Sequence, residues 1–346
     1  MVSAQPAEIM ALLRSGEPVE IGMDEAAARE RAKAPRRFEI ILGFAAIYLI
    51  WGSTYLAIRY AVESIPPLLM MGVRHLTAGV VVYTWARHQG VPSPTRRQWF
   101  YGAIAGMLLF LGGHGTLAWA EQRVPSGLAA LLCATLPLWT VMLGRLQGTE
   151  KHLSRKAWCG ILVGFIGVAI LIGPDLWHSG SGLNLLATLA ALGSSFLWAV
   201  GTLYTKRMPM PSSSVLAAST QMVTGGVWLL LAGFLAGEGQ RVQLSSLTFK
   251  SVAALAYLTV FGSIIAFTAF TWLLTVASPS RVSTYAYVNP VVAVFLGWLL
   301  ASETIGAHTV IATAIILAAV AMVNTRGKAP INERPTATTR ELEEAV

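Results

Sequence analysis

Ten long apolar runs dominate the sequence and constrain its fold more than any other feature. Each run is close to the roughly 20 residues that an α-helix needs to cross the hydrocarbon core of a bilayer. Only 12% of the 346 residues are charged, too few to cover a surface that faces water on all sides. We therefore predict an all-α integral membrane protein with ten transmembrane helices. The runs are 39–58, 67–87, 98–120, 124–146, 156–173, 183–205, 214–236, 251–275, 279–300 and 304–324.

The lysines and arginines between the runs predict the orientation in the membrane. With the N-terminus in the cytoplasm, the inner loops hold ten of these residues and the outer loops hold four. This is the bias of the positive-inside rule, and it places both termini in the cytoplasm. The positive-inside rule therefore explains the net charge of +8, and no nucleic-acid partner is expected.

One spacing of Pro, Gly and Glu occurs twice, in LPLWTVMLGRLQGTE and in NPVVAVFLGWLLASE, 153 residues apart. Trp51 and Trp198 show a similar separation of 147 residues. Such echoes indicate an internal duplication. Because the unit has five helices, an odd number, the second copy would enter from the opposite side of the membrane, as in many secondary transporters. The predicted organisation is a disordered tail 1–38, inverted five-helix repeats 39–173 and 183–324, and a disordered tail 325–346.

Four segments together resemble the EamA-like family of the drug/metabolite transporter superfamily. They are WGSTYLAIRY in the first helix, PPLLMMGVRHLTAG in the second, VPSGLAALLCATLPLW in the fourth and SPSRVSTYAYVNPVVAVFLGWLLASE in the ninth. The resemblance covers roughly residues 40–324. It implies a carrier of the bacterial inner membrane with ten helices in two halves. Such carriers move metabolites, amino acids or drugs, usually outward, through a central cavity between the halves.

Arg74 is the most informative single residue, because it lies about seven residues into the second helix. Insertion scales put the cost of an arginine at a helix centre at about 2.5–3.5 kcal/mol, so such residues face a cavity or a partner. We predict that it binds an anionic group such as a substrate carboxylate. The alternative is a structural arginine bonded to carbonyls. Its counterpart in the second half is Gln221, 147 residues later.

Other polar and aromatic residues within the runs are predicted to line the same cavity. The ninth helix concentrates polar groups just before Pro290, which cannot donate a backbone hydrogen bond and so frees a carbonyl one turn earlier. Helix packing is the alternative role for all of these residues. The remaining substrate-binding candidates are Trp51, Ser53, Thr54, His114, Trp198, Tyr204, Tyr285, Tyr287 and Asn289.

The charged residues narrow the substrate class. No Asp or Glu lies between the ends of any predicted helix, which disfavours antiport of cationic drugs. A single buried cation disfavours phosphorylated substrates. We therefore predict export of a small neutral or zwitterionic, amino-acid-like metabolite by alternating access. Proton coupling would need His75, His114 or Glu121, and uncoupled transport stays equally open; Glu303 is predicted to cap a helix at the surface.

Several alternatives stay open. Multidrug efflux uses the same fold, and a channel or an intramembrane enzyme with Ser263 and a histidine belongs to a different class. Cys133 and Cys159 lie in apolar runs without a CxxC or a histidine cluster, so neither a metal nor a cofactor is expected. The expected partners are a small-molecule substrate and the lipid bilayer. The small-residue face GILVGFIG at 160–167 packs within the bundle or forms a homodimer, so the protein is predicted to be a monomer or a dimer.

Overall fold

The computed structural model describes residues 37–146, 155–177, 184–277, 282, 285–303 and 305–324, without the side chains of 157, 171–177, 286, 287, 308, 320, 323 and 324. These ranges are helical and contain no strand. Residues 1–36 and 325–346 of the predicted tails, and Glu150, which ends the first Pro-Gly-Glu copy, lie outside them, whereas residues 37 and 38 already belong to the first helix. Contacts between Cα atoms set Met1–Leu42 apart as one unit, and every contact given below lies within the second unit, Gly43–Val346. The helices are α1 (Arg37–Ala61), α2 (Pro67–His88), α3 (Arg96–Glu121), α4 (Ser126–Leu146), α5 (Arg155–Trp177), α6 (Leu185–Arg207), α7 (Ser214–Leu235), α8 (Phe249–Val276), α9 (Tyr285–Ala301) and α10 (Ala307–Asn324).

Seven of these helices, α1–α4 and α6–α8, are long and apolar enough to cross a membrane. The apolar stretches within α5, α9 and α10 are shorter and span 158–170, 288–301 and 309–319. Each predicted run overlaps one helix, and most boundaries agree within a few residues. The prediction of an all-helical membrane protein is thus confirmed, whereas ten crossings, the repeats and the cytoplasmic termini stay predictions.

Local capping explains where several helices begin. At the start of α3, the Thr95 hydroxyl accepts a hydrogen bond from the Gln98 amide at 3.2 Å, and the Gln98 side chain accepts one from the Thr95 amide at 2.9 Å. This reciprocal arrangement is a capping box. Asn184 and Thr248 accept single bonds in the same way at the starts of α6 and α8. Helix α2 begins with Pro67, whose missing amide hydrogen costs nothing in the first turn.

Two helix N-termini are instead capped by carboxylates from distant loops. Glu238, in the loop after α7, accepts hydrogen bonds from the amides of Leu68 and Leu69 at 3.0 Å each. Burial raises the pKa of Glu238, while these bonds and the charge of Arg241 oppose that shift. Glu303, in the turn after α9, caps α4 in a similar way. A negative charge at these positions is also favoured by the helix dipole.

The Glu303 cap explains the second Pro-Gly-Glu copy. Its Oε1 accepts hydrogen bonds from the amide and the hydroxyl of Ser126, both at 2.8 Å, and its Oε2 accepts one from the Gly127 amide at 3.1 Å. A Cβ on Gly297 would collide with this carboxylate, so only glycine leaves room for it. Glu303 therefore caps a helix, as predicted, and the helix that it caps is α4.

Helices α2 and α7 pack through glycines that let their backbones approach closely. A Cβ on Gly79 would lie 2.6 Å from the Val223 amide nitrogen, and a Cβ on Gly226 would lie 2.5 Å from that of Leu76. Small residues have this role in many membrane helix pairs. In a second pair, α5 packs on α10, and a Cβ on Gly167 of the GILVGFIG face would lie 2.8 Å from Ile316. That face packs within the bundle.

The glycine contact between α2 and α7 gives a first prediction. Replacing Gly226 with alanine should destabilise the protein by about 1–3 kcal/mol, since the helices must separate to admit the methyl group. Thermal unfolding of the purified protein in detergent measures the effect. Gly193→Ala is the matched control, because a Cβ there meets nothing within 4 Å. Equal unfolding temperatures for the two variants would contradict the close packing.

Three helices contain π-helical stretches, in which each turn holds more residues than in an α-helix. They are Ala46–Ile50 in α1, Met107–Gly115 in α3 and Leu258–Ile265 in α8. The stretch in α1 contacts Asn289 of α9. With its side-chain nitrogen turned toward α1, Asn289 donates to the carbonyls of Ile47 at 3.2 Å and Tyr48 at 3.0 Å.

Candidate functional site

A cavity of about 70 Å³ lies among α1, α2, α3, α4, α6 and α9. A water needs about 10–15 Å³ on this measure, so the cavity holds a handful of waters or one small solute. Its wall combines aromatic rings with a few polar groups, as ligand sites usually do. The lining residues are Trp51, Thr54, Tyr55, Ile58, Arg74, Gly113, His114, Leu117, Cys133, Leu136, Ser194, Ser195, Trp198, Tyr285 and Asn289.

Arg74 is almost completely buried, with 1% of its surface exposed. Its Nε donates to the hydroxyl of Ser263 on α8 at 2.8 Å, and its Nη1 lies 3.6 Å from the sulfur of Met71. Among the described residues, no carboxylate lies within salt-bridge distance of it. Gly262 leaves space for the guanidinium, because a Cβ there would lie 2.8 Å from Nη2. A buried cation without a paired carboxylate can bind an anionic ligand.

A chain of hydrogen bonds runs from Arg74 to His114. The hydroxyl of Ser263 lies 3.4 Å from Nδ1 of His75, whose Nε2 lies 2.9 Å from Nδ1 of His114. Arginine can only donate hydrogen bonds, so Ser263 accepts from Arg74. With both imidazoles neutral, Ser263 then donates to His75, and His75 donates to His114. His75 then accepts on Nδ1 and donates from Nε2, which leaves Nε2–H of His114 as a donor. Arg74 and His114 therefore give one side of the cavity wall a donor character.

Aromatic rings form the adjoining part of the wall. Trp51 and Trp198, the pair 147 residues apart, meet edge to face with ring centroids 6.2 Å apart. Tyr285 lies 5.1 Å from Trp51, and His114 lies 4.5 Å from Trp198. The indole nitrogen of Trp51 donates to the Gly262 carbonyl at 3.1 Å, which fixes the orientation of the ring. Ring faces of this kind attract cationic groups.

Comparison with known proteins decides the family. The profile of the EamA-like transporter family matches residues 38–173 and again residues 185–325. The chain belongs to the EamA-like transporter family. This confirms the resemblance seen in the four sequence segments.

Several relatives of this EamA-like protein are transporters by name. It is 40% identical to the uncharacterized inner membrane transporter YedA of Escherichia coli K12, over 82% of this chain and 89% of YedA. It is 25% identical to a probable amino-acid metabolite efflux pump of Salmonella typhimurium, over 79% of this chain and 90% of the pump. A solved structure described only as "Crystal structure of protein" matches with a TM-score of 0.58 and 20% identity, over 84% of this chain and 98% of that one, which supports the fold. The protein is a multi-pass transporter of the bacterial inner membrane.

Most of the site residues predicted for this EamA-like transporter line the cavity; their role in substrate binding stays a prediction. Those in the lining are Trp51, Thr54, Arg74, His114, Trp198, Tyr285 and Asn289.

Three predicted residues lie elsewhere. The hydroxyl of Ser53 is 2.6 Å from that of Tyr257, so it faces α8. Gln221 is buried on α7, where its backbone carbonyl packs against Gly106 of α3. Tyr204 lies six residues beyond Trp198, toward the end of α6, and is outside the lining. The side chain of Tyr287 is outside the described residues.

The sequence analysis missed the polar contribution of α4 and α6. Pro137 cannot donate to the carbonyl of Cys133, four residues earlier, and the hydroxyl of Ser195 donates to that carbonyl at 3.3 Å instead. Ser194 lies beside it, with its oxygen 3.8 Å from the sulfur of Cys133. A proline within an apolar run was the available signal, because the carbonyl that it frees needs a polar partner.

Proposed function

We propose that this transporter exports a small zwitterionic, amino-acid-like metabolite by alternating access. The observation that carries the proposal is Arg74, a buried guanidinium in the cavity wall without a paired carboxylate among the described residues. A substrate carboxylate would accept hydrogen bonds from Arg74 and from Nε2 of His114. Its ammonium group would rest against the rings of Trp51, Trp198 and Tyr285.

The size of the cavity favours a metabolite over a drug. A volume of about 70 Å³ accommodates a molecule of a few heavy atoms, whereas drug-sized ligands occupy pockets of about 300–1,000 Å³. The name of the Salmonella relative, a probable amino-acid metabolite efflux pump, points to the same substrate class and to outward transport.

We also propose two inverted five-helix repeats that rock against each other around the cavity, with α5 and α10 as buttresses and both termini cytoplasmic. The family profile matches twice, once for each half. The π-helical stretches of α3 and α8 occupy corresponding places in the two halves, and Trp51 meets its counterpart Trp198 in the cavity. Pairs of corresponding helices also pack together, α2 on α7 and α5 on α10. Ten crossings follow from this arrangement.

An enzymatic role has one structural point in its favour, since Ser263 and His75 come together from different helices. The Ser263 hydroxyl, however, is fully buried, accepts from Arg74 and lies outside the cavity lining. The partner of His75 on its other nitrogen is His114 and not a carboxylate. A hydrolytic triad needs an acid there to orient the histidine. Transport is the better account of these contacts.

Counterflow tests the proposed function. Purified protein in liposomes loaded with an equimolar mixture of unlabelled protein amino acids should take up the same ¹⁴C-labelled amino acids transiently and saturably. Liposomes without protein provide the control. Chemical conversion of the label, flux that does not saturate, or no uptake of any amino acid would contradict an amino-acid carrier.

A further inference from the structure

Glu121, the last residue of α3, is the most unusual polar residue in the described part of the chain. It is 0% exposed, and neither oxygen of its carboxyl group has a hydrogen-bond partner among the described residues. An ionised carboxylate buried without donors is very unfavourable, so such a group holds a proton or a bound cation instead. From the sequence, Glu121 was predicted to end a helix and was one of three candidates for proton coupling, beside His75 and His114.

Neighbours of Glu121 line two cavities, the one described above and a second, more polar one that is here named the vestibule. The vestibule has a volume of about 330 Å³, and its wall includes Arg59, Glu63, Lys250 and Glu303. Leu117 lines the first cavity one helical turn before Glu121, on the same face of α3. On α1, Ile58 lines the first cavity and the adjacent Arg59 lines the vestibule. Glu121 itself is in the lining of neither cavity, so a proton on it reaches their water only in another conformation.

The surroundings of Glu121 allow it to exist in either charge state. The Arg59 guanidinium donates to the backbone carbonyl of Glu121 itself at 2.8 Å, so a small movement would bring it to the carboxyl group. Helix α6 also packs against this end of α3, and it carries no titratable residue before Tyr204. The charged and titratable groups close enough to interact with Glu121 are Tyr55 and Arg59 on α1, Arg74 on α2, Cys133 on α4 and Glu303 after α9.

The same surroundings select a proton over a metal cation. A metal cation needs several ligands. The described residues contain no group of three or more His, Cys, Asp or Glu side chains that could hold one. A proton needs only one carboxylate oxygen.

We propose that Glu121 is the proton-binding residue that couples transport to the movement of protons. In the described conformation Glu121 is a neutral carboxylic acid. In another conformation its O–H bond breaks, the proton leaves to water in one of the two cavities, and the electron pair stays on the carboxylate, which then pairs with Arg59. This proposal rests on the transport function proposed above and adds its coupling ion.

Glu121→Gln tests the proposal, because glutamine has the shape of the protonated acid and cannot release a proton. The probe is the ¹⁴C-labelled amino-acid mixture in proteoliposomes, with and without an imposed pH gradient. We expect the gradient to change accumulation in the unmodified protein, and we expect E121Q to lose this response while keeping counterflow at equal pH. Glu63→Gln, in the vestibule wall and paired with Lys250, is the matched control. It should keep both the response to the pH gradient and counterflow at equal pH.

The outcomes separate this proposal from the transport function. Counterflow by the unmodified protein without any response to a pH gradient, or the same response in E121Q, would overturn proton coupling and leave the carrier intact. Accumulation driven by a sodium gradient at equal pH would overturn the choice of ion. Absence of counterflow in the unmodified protein would overturn the carrier.

Infrared spectroscopy provides a test without substrate or flux. The unmodified protein should show a carboxylic-acid carbonyl band at neutral pH, and this band should be missing from E121Q and present in E63Q. If E121Q fails to fold, Glu121→Asp should shift the band. A spectrum of the unmodified protein without a carboxylic-acid band at neutral pH would overturn the proposal.

Discussion

Replacing Arg74 with alanine should strongly reduce amino-acid counterflow while the protein remains folded and inserted. A charge-assisted hydrogen bond contributes about 1.5–3 kcal/mol, so losing the guanidinium should lower transport at subsaturating substrate by about 10–100-fold. Lysine should restore transport only in part, because it keeps the charge and lacks the planar pair of donors. The measurement is initial counterflow rate against substrate concentration in proteoliposomes.

The controls for Arg74 separate binding from folding. Arg97→Ala removes an exposed arginine whose partner is Tyr101, and it should transport normally. Ser263→Ala removes the partner of Arg74 Nε and breaks the chain to His75, so it should weaken transport less than R74A does. Normal counterflow by a folded R74A protein would remove Arg74 from the substrate site.

Replacing Glu303 with alanine should give the largest loss of stability. It removes three hydrogen bonds and leaves the first amides of α4 without a partner, which should cost about 2–4 kcal/mol. Glu303→Gln should lose less stability, because the one carbonyl oxygen of the glutamine side chain can still accept hydrogen bonds from the start of α4. Chemical unfolding in detergent measures the difference. Glu63→Ala is the control, since its partly exposed pair with Lys250 should contribute at most about 1 kcal/mol.

A double-mutant cycle with Gly297 makes this prediction specific. Gly297→Ala should destabilise the protein, because the new methyl group occupies the space of the Glu303 carboxylate. The same change should cost much less in the E303A background, where that space is empty. Additive losses would contradict the explanation of the Pro-Gly-Glu spacing and show that Gly297 has another role.

The sequence predicted the positions of the helices well, because each long apolar run coincides with one helix. It also identified Arg74, Trp51 and Trp198, because such residues rarely face lipid. The helix that Ser53 contacts was harder to predict, since successive helical residues point 100° apart and two neighbours can contact different helices. The burial of Glu121 was not predictable from its position, since packing around a helix end decides whether it meets water.

The target of Glu303 shows a second limit of the sequence. The Pro-Gly-Glu spacing indicated a capping carboxylate, but the capped residue, Ser126, lies 177 positions earlier. No periodicity within a single helix can reveal such a contact. The start of α4 has no local cap, and Glu303 is a carboxylate in a tight turn. Each therefore needs a partner, and comparing the two would have suggested the contact.

The π-helical stretch in α3 lets this helix absorb a change in the length of the chain close to the cavity. Such a stretch contains a residue more than α-helical pairing requires. Deleting one residue from 107–115 would let α3 close as a regular helix, and Leu117 and Glu121 would keep the face that they share. A deletion from a regular helix would instead turn everything after it by about 100°. When relatives are aligned, a one-residue gap in this stretch is therefore compatible with the same cavity wall, whereas a gap elsewhere in α3 signals a different one.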